Sequence, residues 1–376
     1  MKRFFKNLSV VLAVAGIFIF SSVTDGAVKV SSFTNPDSGN KAESVAFDMF
    51  SAREVSANAV KRKYVGIGGE VFGIKLYTKG VMVVKIESLD VSTGMQSPAQ
   101  LAGIRIGDSI THVDRSVIVN ADDFISTIRS SGGKELTLTV ERDGETISLR
   151  LRPNPSENGY RAGLWVRDSS AGIGTVTFYD NENGIFAGLG HGVCDVDTGR
   201  IMLLSGGEAV RATVNGFYKS SPGDPGELCG SFSETVLGSL RVNGETGIYG
   251  ELKKRVNAKQ MPVALESEVR EGAAQIVATV DDGLPRYYDA QITKIYPASG
   301  DGERNLIVKI TDKELLSKTG GILQGMSGSP IIQNSMLVGA VTHVFVNDPS
   351  QGYGIFAERM LETAEHISGA SIDEAA

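Results

Sequence analysis

Cysteine is nearly missing from this chain of 376 residues, which has only Cys194 and Cys229. No CxxC pair occurs, and that removes the spacing on which zinc ribbons and thioredoxin-like redox sites depend. The two thiols read as buried side chains, and export of the chain would open a disulfide to them. Basic residues are also in short supply, 37 Lys and Arg against 44 Asp and Glu, for a formal net charge of −7. A nucleic-acid surface needs a basic footprint, and this balance offers none. Aromatic residues make up 7% of the chain, with one Trp. Histidine is limited to His112, His191, His343 and His366, so any imidazole base must be one of these four. No metal or cofactor motif is present.

Glycine is abundant, at 45 residues. That suits a β protein rich in tight turns, where positive φ is needed. The apolar share of 41% is ordinary for a globular protein and can build a sizeable core. The length suits two or three domains.

The chain opens with Lys2, Arg3 and Lys6 and continues into the apolar run Val10–Phe20. A positive end followed by a short apolar run is the layout of an export signal, with the remainder of the chain outside the membrane. Asp25-Gly26-Ala27 lacks a small residue three places before a cut, so residues 1–27 read either as a removed signal or as an uncleaved anchor. Residues 28–60 are rich in Ser, Asn and Lys and read as a linker exposed to proteolysis, with a short helix near Ala42–Arg53.

Residues 61–153 hold short apolar or alternating segments that read as strands: Phe72–Leu76, Gly80–Val84, Ser109–Val113, Leu136–Val140 and Thr146–Leu151. Arg142-Asp-Gly-Glu145 is a hairpin turn signal. Asn120–Arg129 reads as a helix with an Asn cap and an acidic first turn. Between the strands lies Ser97-Pro-Ala-Gln-Leu-Ala-Gly-Ile-Arg-Ile-Gly-Asp-Ser-Ile110, which closely resembles the signature of bacterial PDZ domains. Such domains are partly open α+β barrels that bind peptides by strand addition, with backbone N–H groups holding a C-terminal carboxylate. The resemblance implies that Phe72-Gly73-Ile74 and Leu76 form the carboxylate-binding turn and the strand after it. The ligand would be a peptide or a protein C-terminus. His112 lies on a predicted strand and reads as structural.

Residues 154–376 shift to short strands and glycine turns, with strands expected at Ala290–Ile295, Leu306–Thr311, Pro330–Gln333 and Met336–Val346 and a helix at Ala357–His366. This pattern favours an all-β barrel or sandwich. Gly325-Met-Ser327-Gly-Ser-Pro330 resembles the nucleophile loop of chymotrypsin-like serine proteases. Its turn would present the Ser327 hydroxyl and aim the N–H groups of Gly325 and Ser327 at one oxyanion position. A serine nucleophile needs a base. His191 precedes the serine at a strand end, in the order such enzymes use. His343 follows the serine on a strand that would line the substrate cleft. Asp195, Asp197, Asp224, Asp281, Asp282, Asp289, Asp301 and Asp312 all lie between His191 and Ser327, and the residues alone do not choose among them.

A PDZ-like segment followed by this protease-like segment is similar to the SpoIVB peptidase family of endospore-forming bacteria. The match is carried by Ala171–Thr175, Gly190–Thr198, Thr319–Ile331, Ala340–Pro349 and Gly352–Ile355. The resemblance implies a mainly β fold with a PDZ domain followed by a chymotrypsin-like double β-barrel. It implies a serine endopeptidase whose triad is His191, Asp312 and Ser327, with Asp312 orienting the histidine. It also implies an exported, membrane-anchored enzyme that cuts itself free within residues 28–60. The released enzyme would act in the space between forespore and mother-cell membranes. There it would cleave a regulatory membrane protein and so activate an intramembrane protease that processes a sigma-factor precursor. Two other readings are an inactive PDZ scaffold, against which the intact serine, glycine frame and base weigh, and an HtrA-like quality-control protease, in which the protease usually precedes the PDZ.

Overall fold

The computed structural model describes residues 62–87, 97–281, 283–296 and 304–373, and the expected export segment, linker and linker helix lie outside them. The chain is mainly β. In order its elements are β1 (Tyr64–Ile67), β2 (Val71–Ile86), α1 (Pro98–Leu101), β3 (Ser109–Val113), β4 (Ser116–Val117), α2 (Ala121–Arg129), β5 (Leu136–Arg142) and β6 (Glu145–Leu151). Next come β7 (Asn154–Ser156), β8 (Gly159–Arg161), β9 (Leu164–Asp180), β10 (Ile185–Gly188), β11 (Leu204–Phe217), β12 (Leu228–Gly244), β13 (Gly247–Leu252) and β14 (Gln260–Pro262). The last are β15 (Gly272–Ala278), β16 (Arg286–Ile295), β17 (Leu306–Ile310), α3 (Lys313–Thr319), β18 (Pro330–Gln333), β19 (Met336–Val344), β20 (Gln351–Phe356) and α4 (Ala357–Asp373).

Two closed barrels form the protease part. The first runs β2-β9-β10-β13-β12-β11 and returns to β2, every pairing antiparallel. Its interior packs Phe72, Ile74, Leu76, Val176, Phe186, Leu240 and Ile248. The second closes through β15-β16-β17-β20-β19-β18. Its interior packs Ile276, Ile292, Val308, Ile310, Ile331, Val341 and Phe356. Full closure removes the unpaired strand edges that would otherwise invite association. Helix α4 carries Ala357, Met360, Leu361 and Ala364 at helical spacing and packs them against Phe178 and Tyr249 of the first barrel and Leu337 and Ile355 of the second.

The PDZ unit is inserted between two strands of the first barrel. Strands β2 and β9, of 16 and 17 residues, each reach about 50 Å at the usual rise per residue. That length lets one end belong to the barrel and the other, Val81–Ile86 and Leu164–Arg167, belong to the PDZ sheet with β3, β5 and β6. The joint falls at Gly80, whose positive φ of 71° brings it onto the Ile110 carbonyl and accompanies a register shift between Tyr77 and Met82. The PDZ core packs Val81, Val83, Ile110, Phe124, Ile128, Leu138 and Val140. Asn120 caps α2 by accepting from the Asp123 N–H at 2.9 Å. Asp108 of the PDZ-like signature is buried and held by Arg142 through two bonds of 2.7 Å, with a third from the Arg105 N–H at 2.8 Å. That aspartate therefore secures the loop.

One assignment made from sequence is corrected by this topology. Phe72, Gly73, Ile74 and Leu76 do not form a carboxylate-binding edge. Over Phe72–Tyr77, β2 is paired on one side with β9 and on the other with β11, so no edge is free for a ligand strand. Phe72 and Leu76 point into the first-barrel core, fully buried. An alternating apolar pattern reads the same whether a strand is an edge or a barrel wall.

Candidate active site

The nucleophile loop turns at Gly325 and Gly328, both with φ of 94°. A Cβ on Gly328 would sit 2.0 Å from the Thr175 carbonyl and 2.5 Å from the Leu189 nitrogen, so only glycine fits there. Three bonds latch this loop to β9. Thr175 N–H donates to the Ser327 carbonyl at 2.9 Å, Thr175 Oγ1 to the Gly325 carbonyl at 2.9 Å, and Thr177 Oγ1 to the Gly328 carbonyl at 2.8 Å. The serine loop of the second barrel is thereby held on a strand of the first.

His191 follows β10 through Leu189 and Gly190, at φ of 66° and 70°. Gly190 packs against Thr342, Ile355 and Ala340 of the second barrel. The backbone of Leu189 meets Gly328, one residue after Ser327 and two before His191. His191 and Ser327 thus share one cleft of about 500 Å³, together with Gly325 and His343. His191 Nδ1 bonds the Gly192 carbonyl at 2.8 Å. With the proton on Nδ1 to make that bond, Nε2 carries the lone pair a general base needs. Burial pushes the His191 pKa below its ordinary value, against the pull of the Gly192 carbonyl. The His343 ring lies 4.5 Å from the His191 ring at 34°. Burial first, then His191 and Arg304, bring the His343 pKa down to about 4. Ser327 Oγ donates to the Thr342 carbonyl at 2.6 Å.

Asp312 does not join this group, which corrects the role implied by resemblance. It is the N-cap of α3: Oδ1 accepts from the Leu315 N–H at 2.8 Å and Oδ2 from the Asp289 N–H at 3.4 Å. It lines no part of the cleft. Asp195 is buried near His191 but is engaged by Arg167 and by the N–H groups of Thr198 and Asp197. These two aspartates are therefore occupied by main-chain and guanidinium donors, and the histidine is oriented by a carbonyl instead. Cys229 is a half-buried free thiol. Cys194 is exposed and lines the cleft, against the expectation of a buried side chain. His112 lies on β3 beside Thr111, away from the cleft, and His366 lies on α4.

A second surface escaped the sequence reading. The outer end of β9, Leu164–Arg167, is paired with β2, and no other described strand pairs with it. Helix α2 flanks that stretch, with the Ala121 N–H bonded to Asp168 Oδ2 at 2.9 Å. Val119, Ile125 and Trp165 are exposed there. Gly163, at φ of 73°, turns the chain into the strand. The signal in the sequence was Gly163-Leu-Trp-Val166, a glycine directly before an apolar strand.

The SpoIVB peptidase S55 family matches residues 158–361, and the PDZ domain family matches residues 66–152. Curated relatives align over short stretches. A putative zinc metalloprotease of Neisseria meningitidis is 36% identical over 78 residues, covering 21% of this chain and 18% of the relative. The regulator of sigma-E protease of Salmonella typhimurium is 35% identical over 81 residues, covering 21% and 18%. The chain thus spans about a fifth of the length of these relatives. Among solved structures, the active form of the Rv3671c protease of M. tuberculosis aligns with a TM-score of 0.29 and 14% identity, over 51% of this chain and 72% of that one.

Proposed function

The chain belongs to the SpoIVB peptidase S55 family, and from that premise we propose that it is a sporulation endopeptidase that cuts itself and then a regulatory membrane protein. It is a serine endopeptidase with a PDZ domain. The observation that carries the reading is the shared cleft of His191 and Ser327. Ser327 Oγ, turned from the Thr342 carbonyl, attacks the scissile carbonyl carbon while His191 Nε2 takes its proton. The tetrahedral oxyanion is received by the N–H groups of Gly325 and Ser327. His191 then gives the proton to the leaving amine, and water repeats the sequence on the acyl-enzyme.

In this reading the enzyme is exported, held by its N-terminal segment, and released between the forespore and mother-cell membranes. Cleavage of the membrane partner activates an intramembrane protease that processes a sigma-factor precursor. Among the described residues no helix is long and apolar enough to cross a membrane. The PDZ unit docks a peptide or C-terminus as an added strand along Leu164–Asp168, beside α2, with Gly163 at the carboxylate turn.

The test is mass mapping of the N-terminus of purified full-length protein. A cut within residues 28–60 that disappears in Ser327→Ala supports the proposal. An unchanged N-terminus in the wild-type chain, or the same cut in a folded Ser327→Ala, refutes self-cleavage by this serine.

A further inference from the structure

The cleft that holds Ser327 is uncharged. Among the described residues that line it there is no Asp, Glu, Lys or Arg. Several of its walls are aliphatic. Ile322 and Leu323 precede the serine in its own loop, Val344 ends β19, and Val346 lies just after it. Val193 and Val196 belong to the loop after His191. Val196 is 87% exposed and Val346 is 52% exposed, so two valines stand in water at the two lips of the cleft. Isolated apolar residues on a surface are ordinary. Here both line the same concavity that contains the nucleophile, and a bound chain would cover them.

Charges beside the lining residues are held in contacts of their own. Asp195 and Asp197 are paired with Arg167. Arg304 lies over the Tyr353 ring, 5.2 Å from its centroid. The two histidines of the cleft both have pKa values below the ordinary imidazole range, so neither is a cation at neutral pH. A Lys, Arg, Asp or Glu side chain entering this cleft would lose hydration and meet no charged residue in the lining, and that cost disfavours it. An aliphatic side chain would instead bury its own surface and that of the valine lips.

We propose that the cleft selects substrates with an uncharged, aliphatic residue at the scissile bond, with Val196 and Val346 as specificity-determining residues. The inference rests on the serine-protease reading of the same cleft. It goes beyond that reading by naming the side-chain class that is cut.

The experiment uses the full chain and four probes that form a bond to an activated serine. Three are peptidyl phosphonate diphenyl esters of one sequence whose residue next to phosphorus is Val, Lys or Glu. The fourth is a simple alkyl fluorophosphonate. Labelling of Ser327 is followed by intact mass. The Val probe should label at least about 30-fold faster than the Lys or Glu probe, which corresponds to about 2 kcal/mol of discrimination. In Val196→Asp or Val346→Asp the Lys probe should gain on the Val probe by about 10-fold or more. Both positions are exposed, so these variants should fold. Equal rates, a faster Lys or Glu probe, or no peptidyl labelling where the fluorophosphonate reacts would overturn the selectivity. Unchanged ratios in both variants would remove the two valines from the proposal. No labelling by the fluorophosphonate would instead refute the hydrolase reading on which the inference stands.

Discussion

Replacing His343 by Phe should flatten the stability profile of this protein between pH 6.5 and pH 4. The His343 ring is stacked beside His191, and its Nδ1 is buried without a hydrogen-bond partner. Burial, and then the repulsion of His191 and Arg304, lower its pKa in the folded chain from 6.5 to about 4. In the unfolded chain it takes up a proton near pH 6.5. Between these values the unfolded state binds more protons, so stability falls as pH falls. The contribution is fully present above pH 6.5 and is lost by about pH 4. The interval sets a ceiling of about 3 kcal/mol, and because the ring is only partly enclosed, screening reduces the expected value to about 1–2 kcal/mol. Urea unfolding at pH 7.5, 6.5, 5.5 and 4.5 reads it directly. Going from pH 7.5 to 4.5, His343→Phe should lose about 1–2 kcal/mol less than the wild-type chain. At pH 7.5 the variant should be no less stable, because Phe removes an unpaired buried nitrogen. Parallel profiles for the two proteins would refute the argument.

Asp312 gives a sharp test of cap against catalyst. Asp312→Ala should cost about 1 kcal/mol in urea unfolding, Asp312→Asn a smaller amount, and Asp312→Asn should label with fluorophosphonate at close to the wild-type rate. A loss of labelling by orders of magnitude in a fully stable Asp312→Asn would restore the orienting role. Gly328→Ala should displace the serine loop from β9 because the new Cβ overlaps the Thr175 carbonyl at 2.0 Å. Labelling of Ser327 should fall more than about 10-fold, with a lower melting temperature by calorimetry, and unchanged values would show that the loop does not need that contact.

Much of this molecule could be read along the chain. The strands Ser109–Val113, Leu136–Val140 and Pro330–Gln333, the Asn-capped helix α2 and the start of α4 follow from local alternation, capping and helical spacing. Ser327 was singled out by the glycine two residues before it, and the adjacent Gly328 sits where a Cβ would meet the Thr175 carbonyl. His191 was reached by elimination among four imidazoles and by chain order. Asp312 failed for an instructive reason: Asp-Lys-Glu-Leu before a helix is a cap signal, and α3 was not expected. Phe72–Leu76 reads as a ligand edge because a doubly paired barrel wall carries the same alternating pattern. Only strand pairing separates a barrel wall from a free edge.

Local chemistry therefore determined many of the elements and the glycine turns around Ser327, because each depends on steric and polar rules that act over a few residues. Tertiary structure alone decided the rest. Closing two barrels brought residues 136 positions apart, His191 and Ser327, into one cleft. It threaded two long strands through both the barrel and the PDZ sheet, and it gave Asp195 and Asp312 their partners. Those outcomes depend on which edges pair and which loops meet across the barrels, and such long-range choices leave no periodic trace in the chain.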